Sequence, residues 1–152
     1  MLVNFGKHKG KSVEWIVLKE PDYIKWVLDQ PDPNGNLETI MTEALSLILV
    51  FDAKPIVKAC HGSNCNKPAV RFTAYEGNSS SIFTWCEACD PYQTGAVHGK
   101  LRILSTYDDA LHHAEFSCDG HRSDYKTIIK EIAIAKGLPR RSPETQVKAF
   151  FA

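Results

Sequence analysis

The chain has 152 residues, 43% of them hydrophobic, and its 18 basic and 18 acidic side chains cancel. That length suits one compact domain or two small lobes sharing a core, and the composition excludes global disorder. A net charge of zero argues against a protein that holds duplex DNA through phosphate contacts alone.

The charge is unevenly spread. Residues 1–20 sum to +2 and 121–152 to +4, whereas 21–59 and 60–120 each sum to −3. Basic ends around an acidic middle permit a local nucleic-acid face, although scattered solvating charge gives the same totals. Met1 to Asn4 lacks the basic start and apolar core of a secretory signal. The longest apolar stretch, Leu45 to Phe51, falls far short of the roughly 20 residues that cross a bilayer. The expectation is a cytoplasmic protein with no membrane association, in which thiols stay reduced.

Taken in chain order, Gly6 and Gly10 frame the basic segment Lys7-His8-Lys9 and suit a tight turn or hairpin, since glycine accepts positive φ. Ser12 is placed to cap a short helix. Pro21 fits the first turn of a second helix, whose Tyr23 and Trp26 share a face. The elements Phe5-Gly6-Lys7-His8-Lys9-Gly10-Lys11, a helix, and then Pro21-x-Tyr23-x-x-Trp26 resemble the small C-terminal domain of exodeoxyribonuclease X-like proteins. The resemblance covers about the first fifth of the chain and does not include that nuclease's carboxylate-rich catalytic domain. It implies an accessory module beside DNA-processing activities, and no nuclease chemistry. Lys7, His8, Lys9 and Lys11 read as a phosphate-contacting tip, with solubilising charge as the alternative. The segment is one residue too short between its glycines for a P-loop.

Pro31 to Gly35 reads as a linker. After Asn36 as a cap, Leu37 to Phe51 reads as a helix with Ile40, Ala44, Leu47, Ile48 and Phe51 on one side. Its apolar width fits burial between two lobes or a dimer interface.

Cys60, Cys65, Cys86 and Cys89 carry the strongest chemical signal. They read Cys-x4-Cys, then 20 residues, then Cys-x2-Cys, as two halves of one tetrahedral Zn²⁺ site. Four thiolates saturate the ion and leave no position for a reacting water, so one structural Zn²⁺ is expected. His61 in the first knuckle is a candidate supporting donor or reserve ligand. Between the pairs, Val70, Phe72 and Ala74 alternate with Arg71, Thr73 and Tyr75, as a half-buried strand should. Gly77 to Ser80 turns the chain, and Ile82 to Trp85 returns. A hairpin bounded by two metal knuckles resembles a zinc-ribbon or treble-clef module.

Leu101 to Leu104 reads as a strand, Tyr107 to Phe116 as a helix capped by Ser105 or Thr106, and Asp124 to Lys136 as a further helix. Ser142-Pro143-Glu144 starts a terminal helix on which Phe150 and Phe151 dock, or form an exposed partner-binding tail. Cys118 and His121 could hold a second metal or replace a ligand of the first. A buried free cysteine beside a surface histidine is the competing reading. His113-Ala114-Glu115 with Cys86-x-x-Cys89 reverses the deaminase order and lacks its proline.

The expected fold class is α+β, a small zinc-stabilised β-hairpin module packed with several short helices. Its segments are a hairpin-helix lobe at 1–32, a connecting helix at 33–56 and a zinc-binding lobe at 57–152. The expected function is a non-catalytic zinc-binding module associated with nucleic acid or DNA-processing machinery. Phosphate contacts are assigned to the Lys7–Lys11 tip, Lys136, Arg140 and Arg141, and base stacking to Arg71, Tyr75, Phe83 and Trp85. A protein-interaction adaptor or inhibitor of phage or mobile-element origin is the alternative. A metal-assisted hydrolase is third and requires an open metal position. Oligomeric state stays open.

Overall fold

The computed structural model describes residues 1–89 and 101–152. It is an α+β fold with six α-helices and a three-stranded antiparallel sheet among those residues. At the N-terminus, Val3 and Lys11 pair through backbone bonds around a turn in which Gly6 and Gly10 both have positive φ, 70° and 86°. Ser12 then accepts the Trp15 amide at 3.1 Å and starts α1 (Val13–Lys19). Pro21 opens α2 (Pro21–Leu28), where its missing N–H costs nothing.

The long helix α3 (Gly35–Ala53) starts at the backbone of Asn34 rather than at Asn36. Gly35 has φ 57°, a left-handed entry that a residue with a Cβ resists, which moves the start forward. Ile40, Ala44, Ile48 and Phe51 form the buried stripe of α3. Its C-terminal end is closed from outside: Lys136 donates to the Phe51 carbonyl at 2.6 Å and reaches that of Asp52 at 3.3 Å. The Asp52 carboxylate in turn accepts the Tyr107 amide at 2.7 Å, joining α3 to the next helical segment.

The strands β1 (Arg71–Tyr75), β2 (Ile82–Trp85) and β3 (Leu101–Leu104) run in the order β2-β1-β3. Arg71 opposes Trp85 and Thr73 opposes Phe83 on one side of β1, while Thr73 opposes Ile103 on the other. Phe72 and Ala74 point into the core, but the expected alternation is broken by Thr73, which β2 and β3 bury between them, and by Val70, which is exposed.

Helix α4 (Tyr107–His112) opens on a capping box between Thr106 and Asp109. The expected continuous helix to Phe116 is not formed. A π-helical turn occupies His113–Ser117. Its wider winding lets Ala110, Leu111, His113 and Ala114 all face inward and leaves Phe116 73% exposed. Helices α5 (Arg122–Ala135) and α6 (Glu144–Phe151) complete the chain. Phe150 is buried and Phe151 packs beside it, so the terminal pair docks.

One core draws on all three expected segments. Val13, Ile16 and Val17 of α1 meet residues of α3, α5 and α6, and the sheet adds Phe72 and Leu104. The Tyr107 hydroxyl, fully buried, donates to the Val17 carbonyl at 2.8 Å and ties α4 to α1 inside it. No helix among the described residues is long and apolar enough to cross a membrane.

Candidate metal centre

The four cysteines come together from the two ends of the hairpin. Cys60 and Cys65 precede β1, and Cys86 and Cys89 follow β2. Their sulfurs all lie within 4.8 Å of one another, and Cys65 Sγ is 3.8 Å from Cys86 Sγ. A tetrahedron with metal–sulfur bonds of about 2.3 Å has edges of about 3.8 Å, so this donor set fits a tetrahedral ion of the Zn²⁺ type.

The sequence folds the first knuckle around the sulfurs. Gly62 donates its amide to Cys60 Sγ at 3.3 Å, and Cys65 donates to the Gly62 carbonyl at 3.1 Å. Asn64 takes φ 56° to close the loop, a conformation that asparagine tolerates. Gly62 has a steric role that the cysteine spacing did not reveal. A Cβ there would sit 2.8 Å from Cys89 Sγ. The knuckle is knitted to the sheet by His61 N–H to the Thr84 carbonyl at 2.7 Å and Thr84 Oγ1 to the Ala59 carbonyl at 2.8 Å.

Crowding makes the thiols titrate apart. The Cys89 backbone amide leads the groups that lower Cys86 to about 7, despite its burial. Cys89, crowded by the sulfurs of Cys65, Cys86 and Cys60, is raised to about 12. A divalent cation among the sulfurs removes this conflict, since every ligand then binds as thiolate.

His61 does not turn toward the sulfurs as a reserve ligand. Its ring packs on Phe83 at 4.6 Å and Trp85 at 5.7 Å between centroids. Phe83 lies 5.9 Å from Tyr75 and 6.3 Å from Trp85, and the indole of Trp85 is anchored by a 2.7 Å bond to Thr73 Oγ1. An aromatic row therefore flanks the metal centre on the outer side of the hairpin, with Tyr75 47% exposed.

Cys118 and His121 belong to no larger donor cluster among the described residues. Among the described residues the only group of three or more metal-competent side chains is the four-cysteine cluster. Burial, with Asp124 and Asp119 adding to it, pushes the Cys118 thiol up to about 11. His121 serves the start of α5, where its amide donates to Asp124 at 3.0 Å. All five cysteines are free thiols.

The expected phosphate contacts divide. Lys7 and Lys9 are exposed on the N-terminal turn, and Lys11 is half-buried. His8 is a correction: it is buried and its ring packs edge-on against Tyr23 at 4.6 Å, so it belongs to the lobe's aromatic core. Lys136 is another, because its ammonium is consumed by the carbonyls that end α3. Arg140 and Arg141 are exposed, with Arg140 paired to Glu131 at 3.2 Å. Arg71, expected to stack on bases, is half-buried beside Trp85 in the strand register.

Residues 3–32, about a fifth of the chain, match the family described as exodeoxyribonuclease X-like C-terminal. The match spans the N-terminal turn, α1 and α2, and ends before the metal centre. No curated protein and no solved structure matches the chain.

Proposed function

We propose that this protein is a zinc-structured, non-catalytic nucleic-acid-binding module that accompanies DNA-processing machinery. The observation that carries the reading is the aromatic row of Tyr75, Phe83 and Trp85 on the hairpin that the four thiolates pin together. Stacking of bases on aromatic rings contributes about 1–3 kcal/mol per base and tolerates any sequence. Lys7, Lys9 and Lys11 on the N-terminal turn supply phosphate contacts, as do Arg140 and Arg141 near the other end. The matched N-terminal segment supports the association with nucleic-acid processing.

Zn²⁺ is the ion that best suits four thiolates in a reducing compartment, and the cytoplasm is such a compartment. When bound, it supplies cross-linking of the two knuckles. Cys60, Cys65, Cys86 and Cys89 hold it, with the Gly62 amide bracing Cys60. Because the protein fills all four positions, no ligand site remains for hydrolytic water.

The test is binding of the zinc-loaded protein to labelled single- and double-stranded DNA and RNA across a salt series, with metal assayed on the same sample. Affinity that falls steeply with salt, and falls again in Tyr75→Ala/Phe83→Ala, is expected. Absence of binding at low salt in a sample that retains its zinc would reject the reading.

An adaptor function is favoured by one observation. Leu45, Leu49 and Val50 leave an apolar strip exposed on α3, with Leu49 71% accessible. Recovery of one stoichiometric protein after nuclease treatment, lost in Leu49→Asp, would support that reading instead.

A further inference from the structure

A solvent-open groove of about 1010 Å³ lies between α1 and α5. The α5 side presents Ser123, Lys126, Thr127 and Lys130, whose spacing puts them on one helical face. The other face of α5 buries Ile128, Ile129 and Ile132 in the core, which fixes the direction in which the lysines point. From α1 come Trp15, half-buried, and Lys19, whose ammonium stands 5.4 Å from the indole centroid. Leu18 and Leu138 extend the apolar lining around the ring.

The charges in the groove are unbalanced. Glu20 is already engaged by Arg122 at 2.5 Å and Lys11 at 3.6 Å, and Glu144 accepts the Ser12 hydroxyl. Among the described residues, no carboxylate lies within ion-pair distance of Lys19, Lys126 or Lys130. Burial, then repulsion from Lys130 and Lys126, lowers the Lys19 ammonium from its usual range. The lining sets Lys11, Lys19, Lys126 and Lys130 against Glu20 and Glu144, and this positive surplus favours a polyanion. An accessible indole beside the lysines adds a surface for a flat ring, and only unpaired bases offer their faces.

We propose that the α1–α5 groove is a single-stranded nucleic-acid site, with Lys19, Lys126 and Lys130 holding phosphates and Trp15 stacking an unpaired base. This deepens the nucleic-acid reading above and rests on it. Gly10 and Lys11 stand at the rim, so the N-terminal turn continues into the groove and extends the path for a phosphate backbone. The signal was present in the sequence as the Lys126/Lys130 spacing. Its meaning depended on α1 facing it.

The experiment titrates the zinc-loaded full chain with a labelled oligothymidine and with a duplex of equal length, over a salt series. Tighter binding of the single strand is expected. Lys126→Ala/Lys130→Ala should reduce the slope of log K against log salt by about 1.4, and Trp15→Leu should weaken binding about tenfold. The two lysines project from a helix surface, so the double variant keeps its fold and unfolding midpoint. Unchanged affinity and slope in that variant, with binding lost in Tyr75→Ala/Phe83→Ala, would overturn the groove and leave the general reading intact. Equal losses for duplex and single strand would overturn the single-strand assignment. A wild-type protein that binds neither nucleic acid at low salt would overturn both readings together.

Discussion

Arg122, at the start of α5, reaches the Glu20 carboxylate at 2.5 Å across 102 residues of sequence. The contact ties the family-matched N-terminal segment to the C-terminal helix beside the lysine groove. Burial raises the Glu20 carboxyl, but Arg122, Lys126 and Lys11 outweigh it and hold the group below the ordinary glutamate range. A carboxyl depressed in the folded state contributes stability above its unfolded value, and that contribution disappears as pH falls through the folded one. Arg122→Ala leaves desolvation opposed only by lysines, so Glu20 should titrate higher. Thermal midpoints measured from neutral to about pH 3 should show the variant less stable near neutrality and with a shallower acid limb, the two curves converging as Glu20 protonates. Superimposable acid limbs would refute the coupling.

Metal removal should act on the hairpin first. Cys89→Ser or chelation takes away the cross-link between the two knuckles, and metal binding is coupled to folding. One metal per chain should be lost, the thermal midpoint should fall, and the emission of Trp85 beside the cluster should change. Full stability after complete chelation would show that the metal is not structural.

Gly62→Ala isolates the packing of the knuckle. The added methyl meets Cys89 Sγ at 2.8 Å, so either the sulfur or the loop must shift. Displaced partners of metal ligands typically weaken metal binding 10- to 100-fold, and about tenfold is expected here. Competition with a chromophoric chelator measures it. Wild-type affinity in the variant would mean that the knuckle yields freely.

Lys136→Met separates structural from binding roles. It strips the donor from the Phe51 and Asp52 carbonyls and should cost about 1–2 kcal/mol in denaturant unfolding. Nucleic-acid affinity and its salt slope should not change, because the ammonium is spent inside the fold. A drop in salt slope would restore Lys136 to the binding surface.

The four-cysteine cluster, the hairpin between its halves and most helices were legible from local spacing. Cys-x-x-Cys brings two sulfurs within reach of one ion whatever the rest of the chain does, and alternation or helical periodicity repeats within a few residues. His8 and Lys136 were misread because nothing in their neighbours shows what packs above them. His8 sits in a basic, glycine-flanked turn that reads as exposed, yet Tyr23 covers it. Lys136 ends a helix in the usual place for a surface cation, yet the end of α3 lies against it. The π turn at His113–Ser117 escaped for a related reason. Its register is set by His113 reaching the Asn78 carbonyl at 3.1 Å, a contact distant in sequence.

By itself the sequence determined the four-cysteine cluster, the α+β element order and the resemblance of its first lobe, because each rests on residues near one another along the chain. Only the tertiary structure decided which basic residues remain available to a ligand. Charge in sequence is the same whether an ammonium is spent on a carbonyl, paired with a carboxylate or left facing a groove. Packing of α1 against α5 leaves Lys19, Lys126 and Lys130 beside Trp15, whereas the carbonyls at the end of α3 take up the Lys136 ammonium.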